Sequence, residues 1–222
     1  MPMIPAAIRR LTPERLRDDV RLRALAVGLG AIPPRRMHSE QDAQVLLEAA
    51  HGARVVVEIG VYEGASALLL CRALGDRAQL HLIDPFGQRP DALPSGWGAT
   101  ERATRRVLDR ELRRVGPNGP ELHWHIALSH EVAERWSTEI DLVFIDGDHS
   151  EAGCELDWSC WRQYVGPGGH VVFHDARAGQ TRGRGLPGPT AVVDRHFRSA
   201  ASAPGWEIAA EADRTVAVRR IS

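Results

Sequence analysis

From residue 54 onward, short runs of β-branched and aliphatic residues alternate with helical stretches, and this alternation restricts the fold more than any other feature of the chain. Residues 54–59 read as a strand, 65–74 as a helix stopped by Gly75, 79–84 as a strand and 100–115 as a helix. Residues 121–126, 141–146 and 170–174 read as further strands, with helices over 129–136 and 151–165 between them. A Gly- and Pro-rich loop then leads to a helix over 190–200, and 206–212 faces 215–219 across Asp213-Arg214 as a terminal hairpin. Strand, helix and parallel strand in succession form right-handed crossovers, so the expected fold is α/β: a doubly wound, Rossmann-like sandwich, mostly parallel, with a C-terminal antiparallel hairpin. Two helices precede the sheet. One starts at Thr12-Pro13-Glu14 with Leu16, Val20, Ala24 and Val27 on one face; the other is capped by Ser39, has Asp42 at its third position and has Val45, Leu46 and Ala49 on its apolar side.

The length of 222 residues suits one such domain, with residues 1–52 as a helical cap or dimer contact and 53–222 as the ligand-binding core. A net charge of −1 gives no basic footprint for nucleic acid. The sequence has neither a membrane-spanning apolar run nor the apolar segment of a secretory signal, which reads as a soluble, cytoplasmic protein. The cysteines Cys71, Cys154 and Cys160 are too few and too scattered for a disulfide framework and read as thiols. All 28 basic residues other than histidine are arginine, which excludes any mechanism that needs a lysine.

In a doubly wound sheet, ligands bind beyond the carboxyl ends of the strands, so the residues there carry the functional signal. The first strand runs through Glu58-Ile59-Gly60-Val61-Tyr62-Glu63-Gly64-Ala65-Ser66 into a helix. Its glycines allow a tight turn and close approach of a ligand to backbone N–H groups. Tyr62 stands where a dinucleotide fingerprint needs its middle glycine, which argues against a nicotinamide dehydrogenase. Asp84, at the second strand end, fits either a ribose diol or a turn aspartate. Asp146, Asp148 and His149 follow one later strand, and His174 and Asp175 follow the next. Oxygen ligands from two neighbouring strand ends suit a hard divalent cation such as Mg²⁺, while capping of the following loop is the other reading of Asp146 and Asp148. His149 fits a proton acceptor or a helix-start cap. His123 and His125 share a strand face and read as packing, as do Trp158 and Trp161, three apart on a helix.

With these residues in view, the chain resembles the class I S-adenosylmethionine-dependent methyltransferases over about residues 39–219. The resemblance is to the divalent-metal-dependent branch that includes catechol O-methyltransferase-like and macrolide-sugar O-methyltransferase-like enzymes. It rests on Glu58-x-Gly60-x-Tyr62-x-Gly64-x-Ser66, on Ile145-Asp146-Gly147-Asp148-His149-Ser150, and on Pro167-Gly168-Gly169 with Phe173-His174-Asp175. It implies that Glu58, Gly60, Tyr62, Gly64 and Ser66 surround the methionine part of S-adenosylmethionine, that Asp84 holds the ribose, and that Ser129 lies on the adenine side. It also places Asp146 beside the cofactor and makes Asp146 and Asp175 metal ligands, with His174 as a further candidate, because Ala176 stands where catechol enzymes carry their third ligand. His149, three residues after the first metal aspartate, occupies the position of the general base. That base is lysine in catechol enzymes and histidine in several sugar-modifying relatives. The implied reaction is Mg²⁺-assisted (or other divalent-cation-assisted) methyl transfer to a hydroxyl of a sugar or glycoside, such as a macrolide deoxysugar or a methylated mannoside. A phenolic natural product as acceptor and a non-catalytic nucleotide-binding domain are the alternatives. The loops 88–98 and 179–188, with Arg89, Trp97, Arg182 and Arg184, are expected to cover a small-molecule or oligosaccharide substrate, and a homodimer without nucleic-acid or membrane partners is expected.

Overall fold

The computed structural model describes residues 19–87, 99–177, 185–199 and 203–222. Helix α1 (Val20–Leu29) begins at Asp19, whose carboxylate accepts from the backbone N–H of Arg21 and Leu22. The expected start at Thr12 lies outside the described residues. Helix α2 (Glu40–Ala49) opens with a reciprocal capping box between Ser39 and Asp42, as the sequence led us to expect.

The crossover region then runs β1 (Val55–Ile59), α3 (Ala65–Ala73), β2 (Gln79–Ile83), α4 (Glu101–Val115), β3 (Glu121–His125), α5 (Ser129–Ala133), β4 (Ile140–Ile145) and α6 (Glu151–Trp161). It ends with β5 (Val165–Phe173), α7 (Pro187–Val193), β6 (Trp206–Ala212) and β7 (Thr215–Arg220). The sheet order is β3-β2-β1-β4-β5-β7-β6; the first five strands are parallel and β7 is antiparallel to both its neighbours.

Several expected boundaries move: the helix expected over 129–136 stops at Ala133, and the one expected over 151–165 stops at Trp161. β5 begins at Val165, because Gly166-Pro167-Gly168-Gly169 forms an irregularity inside the strand, where the register against β4 shifts between Ile140 and Leu142. α7 begins at Pro187, since proline is tolerated in the first turn of a helix, and it continues as a wider π-type turn over Asp194–Arg198.

Side chains alternate across each strand, so each strand feeds two cores. Val56, Leu80, Leu82, Leu142, Phe144, Val172 and Ala217 pack with α2, α3 and α4. Val57, Val143, Ile145, Val171, Phe173, Val216 and Val218 pack on the other face with Trp158 and Trp161 of α6 and Val192 and Val193 of α7. Both tryptophans are fully buried, as expected. The three cysteines are free thiols. Between β1 and β4 the strand order reverses, and the loops that follow these strands part toward opposite faces, leaving the crevice where such sheets bind ligands. No helix among the described residues is long and apolar enough to cross a membrane.

Candidate active site at the strand ends

The glycine turn after β1 is built by close backbone packing. Gly60 has φ +89°, and a Cβ there would lie 2.2 Å from the Asp146 carbonyl oxygen, so no side chain fits between the ends of β1 and β4. The ladder continues past the strands: Asp146 N–H donates to Ile59 O and Gly60 N–H donates to Ile83 O, each at 2.9 Å. Tyr62 adopts a left-handed φ of +50° in the same turn.

Asp84 fastens this turn, accepting at Oδ2 from the N–H of Val61 (3.0 Å) and Tyr62 (2.7 Å) and at Oδ1 from Phe86 N–H (2.7 Å). The turn-aspartate reading therefore holds for Asp84. A carboxylate has about four acceptor sites, so these bonds leave capacity for a ligand hydroxyl. Glu58 lies just below the turn, fully buried, with Oε1 accepting from the Ser66 hydroxyl at 2.5 Å and Oε2 without a partner. Burial pushes its carboxyl up to about 8, against the hydrogen bond from Ser66.

Beside this turn, β4 and β5 end in register, and the residues that follow them bring together four side chains that could hold a metal ion. Donor atoms of Asp146, His149, His174 and Asp175 all lie within 4.8 Å of one another. Asp146 Oδ1 is 2.9 Å from His174 Nδ1 and 3.2 Å from His149 Nε2. Asp175 Oδ2 is 3.5 Å from His149 Nε2 and 3.6 Å from His174 Nδ1. Exposure is graded across the cluster: the side chain of His174 is 2% exposed and that of His149 33%, so His149 faces the open crevice.

Burial alone would raise the Asp146 carboxyl, but the attraction of His174 and hydrogen bonds from His149 and His174 hold it well below the usual range. Burial opposes charge on His174 too, yet Asp146, Asp175 and Asp42 lift its imidazole to about 9 in the absence of a cation. His149 is also raised, with burial outweighed by Asp146 and Asp175. Asp148 stands apart from these four: its Oδ1 accepts from Ser150 N–H at 2.9 Å in the turn that starts α6.

The sequence reading missed the residues that hold this cluster. Arg214, in the β6–β7 turn, donates from Nη1 to Asp175 Oδ1 and from Nη2 to the Met37 carbonyl. Asp42 is 2% exposed and accepts at Oδ1 from Arg214 N–H (3.0 Å) and the Thr215 hydroxyl (2.8 Å). Its role as a helix cap was legible; its position behind His174 required the hairpin to be folded against α2. Gly188 packs on the other side, where a Cβ would lie 2.2 Å from the His149 carbonyl oxygen, so α7 presses backbone to backbone against the loop that carries His149.

Ser129 is more embedded than expected. Its hydroxyl oxygen accepts from Trp161 Nε1–H at 2.7 Å, and it hydrogen-bonds to Asp157, whose carboxyl burial raises to about 6. His123 and His125 stack with His81 on the sheet face and are packing residues. Arg89, Trp97, Arg182 and Arg184 lie outside the described residues.

A mostly parallel sheet with this strand order and a C-terminal antiparallel pair, with a glycine turn after β1 and acidic tips on β4 and β5, defines a class I methyltransferase architecture. Residues 57–176 match the methyltransferase-domain family, and the chain belongs to that family, of S-adenosylmethionine-dependent type. Solved structures agree on the fold. The cofactor-bound protein Rv0187 from MTB superposes with a TM-score of 0.61 at 17% identity, covering 99% of this chain and 98% of that one. The O-methyltransferase TomG from Streptomyces achromogenes, in complex with SAM, gives 0.56 at 18%, covering 98% and 95%. An O-methyltransferase from Bacillus cereus in complex with SAH gives 0.56 at 18%, covering 95% and 92%.

Proposed function

We propose that this protein moves the methyl group of S-adenosylmethionine to a hydroxyl of a sugar or glycoside, with Asp146, His174 and Asp175 holding a divalent cation and His149 accepting the hydroxyl proton. The observation that carries this reading is the convergence of these four side chains on one crevice beside the Gly60 turn. Solved relatives of the same fold that hold SAM or SAH support the donor.

Two features of the residues fit the donor: the unpartnered Oε2 of buried Glu58, whose carboxyl a cationic methionine end would favour in its ionised form, and the free acceptor capacity of Asp84, which suits the ribose. S-adenosylmethionine, when bound, supplies a methyl on a positively charged sulfur, a good leaving group. A divalent cation, when bound, supplies a Lewis acid that makes a hydroxyl more acidic and fixes its direction. The protein then has to remove one proton and align one oxygen. His149 suits the first task, being the most exposed of the four and held at Nε2 by Asp146 at 3.2 Å. It takes the hydroxyl proton as the C–O bond forms and the C–S bond breaks. A histidine at this position, rather than lysine, supports a sugar hydroxyl over a catechol.

The test separates the two roles. Asp146→Ala is expected to abolish metal dependence and nearly all turnover while S-adenosylhomocysteine still raises the melting temperature. His149→Gln is expected to cut turnover about 100-fold or more, the usual scale for loss of a general base. Turnover unchanged in either variant rejects the assignment.

A further inference from the structure

We infer that the cation site, which rests on the reading above, is built for a first-row transition ion such as Mn²⁺, Fe²⁺, Co²⁺ or Zn²⁺ rather than for Mg²⁺, because His174 offers it an imidazole nitrogen in place of an oxygen.

The geometry begins with Ala176, fully buried and without a donor group, which follows Asp175 directly. With no oxygen available there, the third donor to the space between Asp146 and Asp175 is His174 Nδ1, 2.9 Å from one carboxylate and 3.6 Å from the other. Ligands on a first-row ion at about 2.1 Å stand roughly 3.0–3.4 Å apart in octahedral or tetrahedral arrangements, so His174 Nδ1 already stands at near-ligand spacing from both carboxylates, whose donor oxygens lie within 4.8 Å of each other. The backbone reinforces it: His174 N–H donates to Ile145 O at 3.1 Å, which locks the two strand tips together.

His174 is also oriented as a metal-bound histidine should be. Its Nε2 is buried, has no hydrogen-bond partner, and faces Asp42 Oδ2 at 3.9 Å. Metal-ligating histidines direct the far ring N–H toward a carboxylate or carbonyl, which fixes the tautomer and leaves the near nitrogen as the donor. Asp42 is fixed in that position by Ser39, Arg214 and Thr215. Asp175 is fixed in turn by Arg214, which engages Oδ1 and leaves Oδ2 toward the cluster.

One nitrogen and two carboxylate oxygens on one side, with the crevice open on the other, favour ions that accept imidazole. Mg²⁺ demands oxygen ligands and gives up water reluctantly, and affinity for a mixed N,O set rises along the first-row series. His149 Nε2 stands at a similar spacing from the same carboxylates, 3.2 and 3.5 Å, and its greater exposure, 33% against 2% for His174, assigns it to the acceptor rather than to the cation.

The experiment uses the full chain stripped of metal with a chelator and titrated with Mn²⁺ alone, followed by electron paramagnetic resonance, with Mg²⁺ as competitor. The expected result is Mn²⁺ binding that a hundredfold excess of Mg²⁺ barely displaces, on the order of the selectivity that an imidazole ligand brings. The bound ion should show nitrogen hyperfine coupling that persists in His149→Gln and disappears in His174→Asp. Restoring an all-oxygen set, His174→Asp should also let Mg²⁺ compete at least tenfold better. Equal competition by Mg²⁺ in the unmodified protein overturns the inference, as does nitrogen coupling that survives His174→Asp, and neither requires the variant to be active. Absence of any bound Mn²⁺ overturns it as well. Thermal shift with S-adenosylhomocysteine, run in parallel, then shows whether the inference fails alone (binding retained) or the methyltransferase reading fails with it (binding lost).

Discussion

Glu58 shows how a single side chain is held at odds with its surroundings. Its carboxyl is sealed beneath the glycine turn with one hydrogen bond from Ser66 and one bare oxygen, and burial carries it to about 8 from an ordinary value of 4.5. The folded protein therefore keeps this proton over a range in which the unfolded chain has released it, and stability contributed at low pH is lost as pH rises from 4.5 through about 8. Glu58→Gln removes that loss. Its ligand-free melting temperature should exceed that of the unmodified protein by several degrees at pH 8.5 and match it near pH 4.5, while S-adenosylhomocysteine binds about tenfold more weakly. A constant difference across that pH range would mean that Glu58 is ionised in the fold. At this scale most of the candidate site was legible from the sequence, because glycine, glutamate, aspartate and histidine at strand ends stand out by type, and the fold brings Asp146, His149, His174 and Asp175 together. Arg214 was not, since nothing in a two-residue hairpin turn says which carboxylate its guanidinium will meet.

Helix α2 does more than cover the sheet, because its capping residue is also a strut of the site. Asp42 accepts from Ser39 N–H at 2.9 Å within its own helix and from Arg214 and Thr215 at the β6–β7 turn. Burial pushes its carboxyl up, but these hydrogen bonds prevail and hold it below its ordinary value. The stabilisation they provide is present above the unfolded value of 3.8 and is lost as pH falls through the lower folded one. Asp42→Asn should cost about 2 kcal/mol at pH 7, measured by urea unfolding, and the deficit should shrink below pH 4. A deficit that stays constant as pH falls below 3.8 would assign the cost to misplaced amide hydrogens instead. The capping box was readable as Ser39 followed three residues later by Asp42. The second set of bonds comes from residues more than 170 positions away, a separation that local pattern cannot bridge. The same limit explains β5: the strand is expected from sequence only over 170–174, and it is the pairing of Val165 with Ile140 on β4 that carries it back across the glycines.

Across the whole molecule, the sheet brings every candidate site residue to one edge, and the N-terminal helices are tied to that edge by buried ion pairs. Glu63, in the glycine turn, is 3% exposed. It accepts from Arg23 of α1 through Nε at 2.6 Å and Nη2 at 2.8 Å, and from Arg35 N–H at 2.6 Å. A two-pronged arginine contact of this kind fixes direction as well as distance, so α1 and the 33–38 segment set the shape of the turn from outside the sheet. Breaking such a buried pair from one side leaves the guanidinium without its counter-charge, at a cost of about 3 kcal/mol. Glu63→Gln should therefore act in two places together. Amide exchange across residues 20–29 should accelerate, and S-adenosylhomocysteine affinity should fall about tenfold if the glycine turn binds the cofactor as proposed, since that turn loses its outer support. If exchange accelerates while affinity stays constant, the first helix is only a cover. If both change, with turnover unaltered at saturating cofactor, the helix is part of the cofactor site, held there by one glutamate between two glycines.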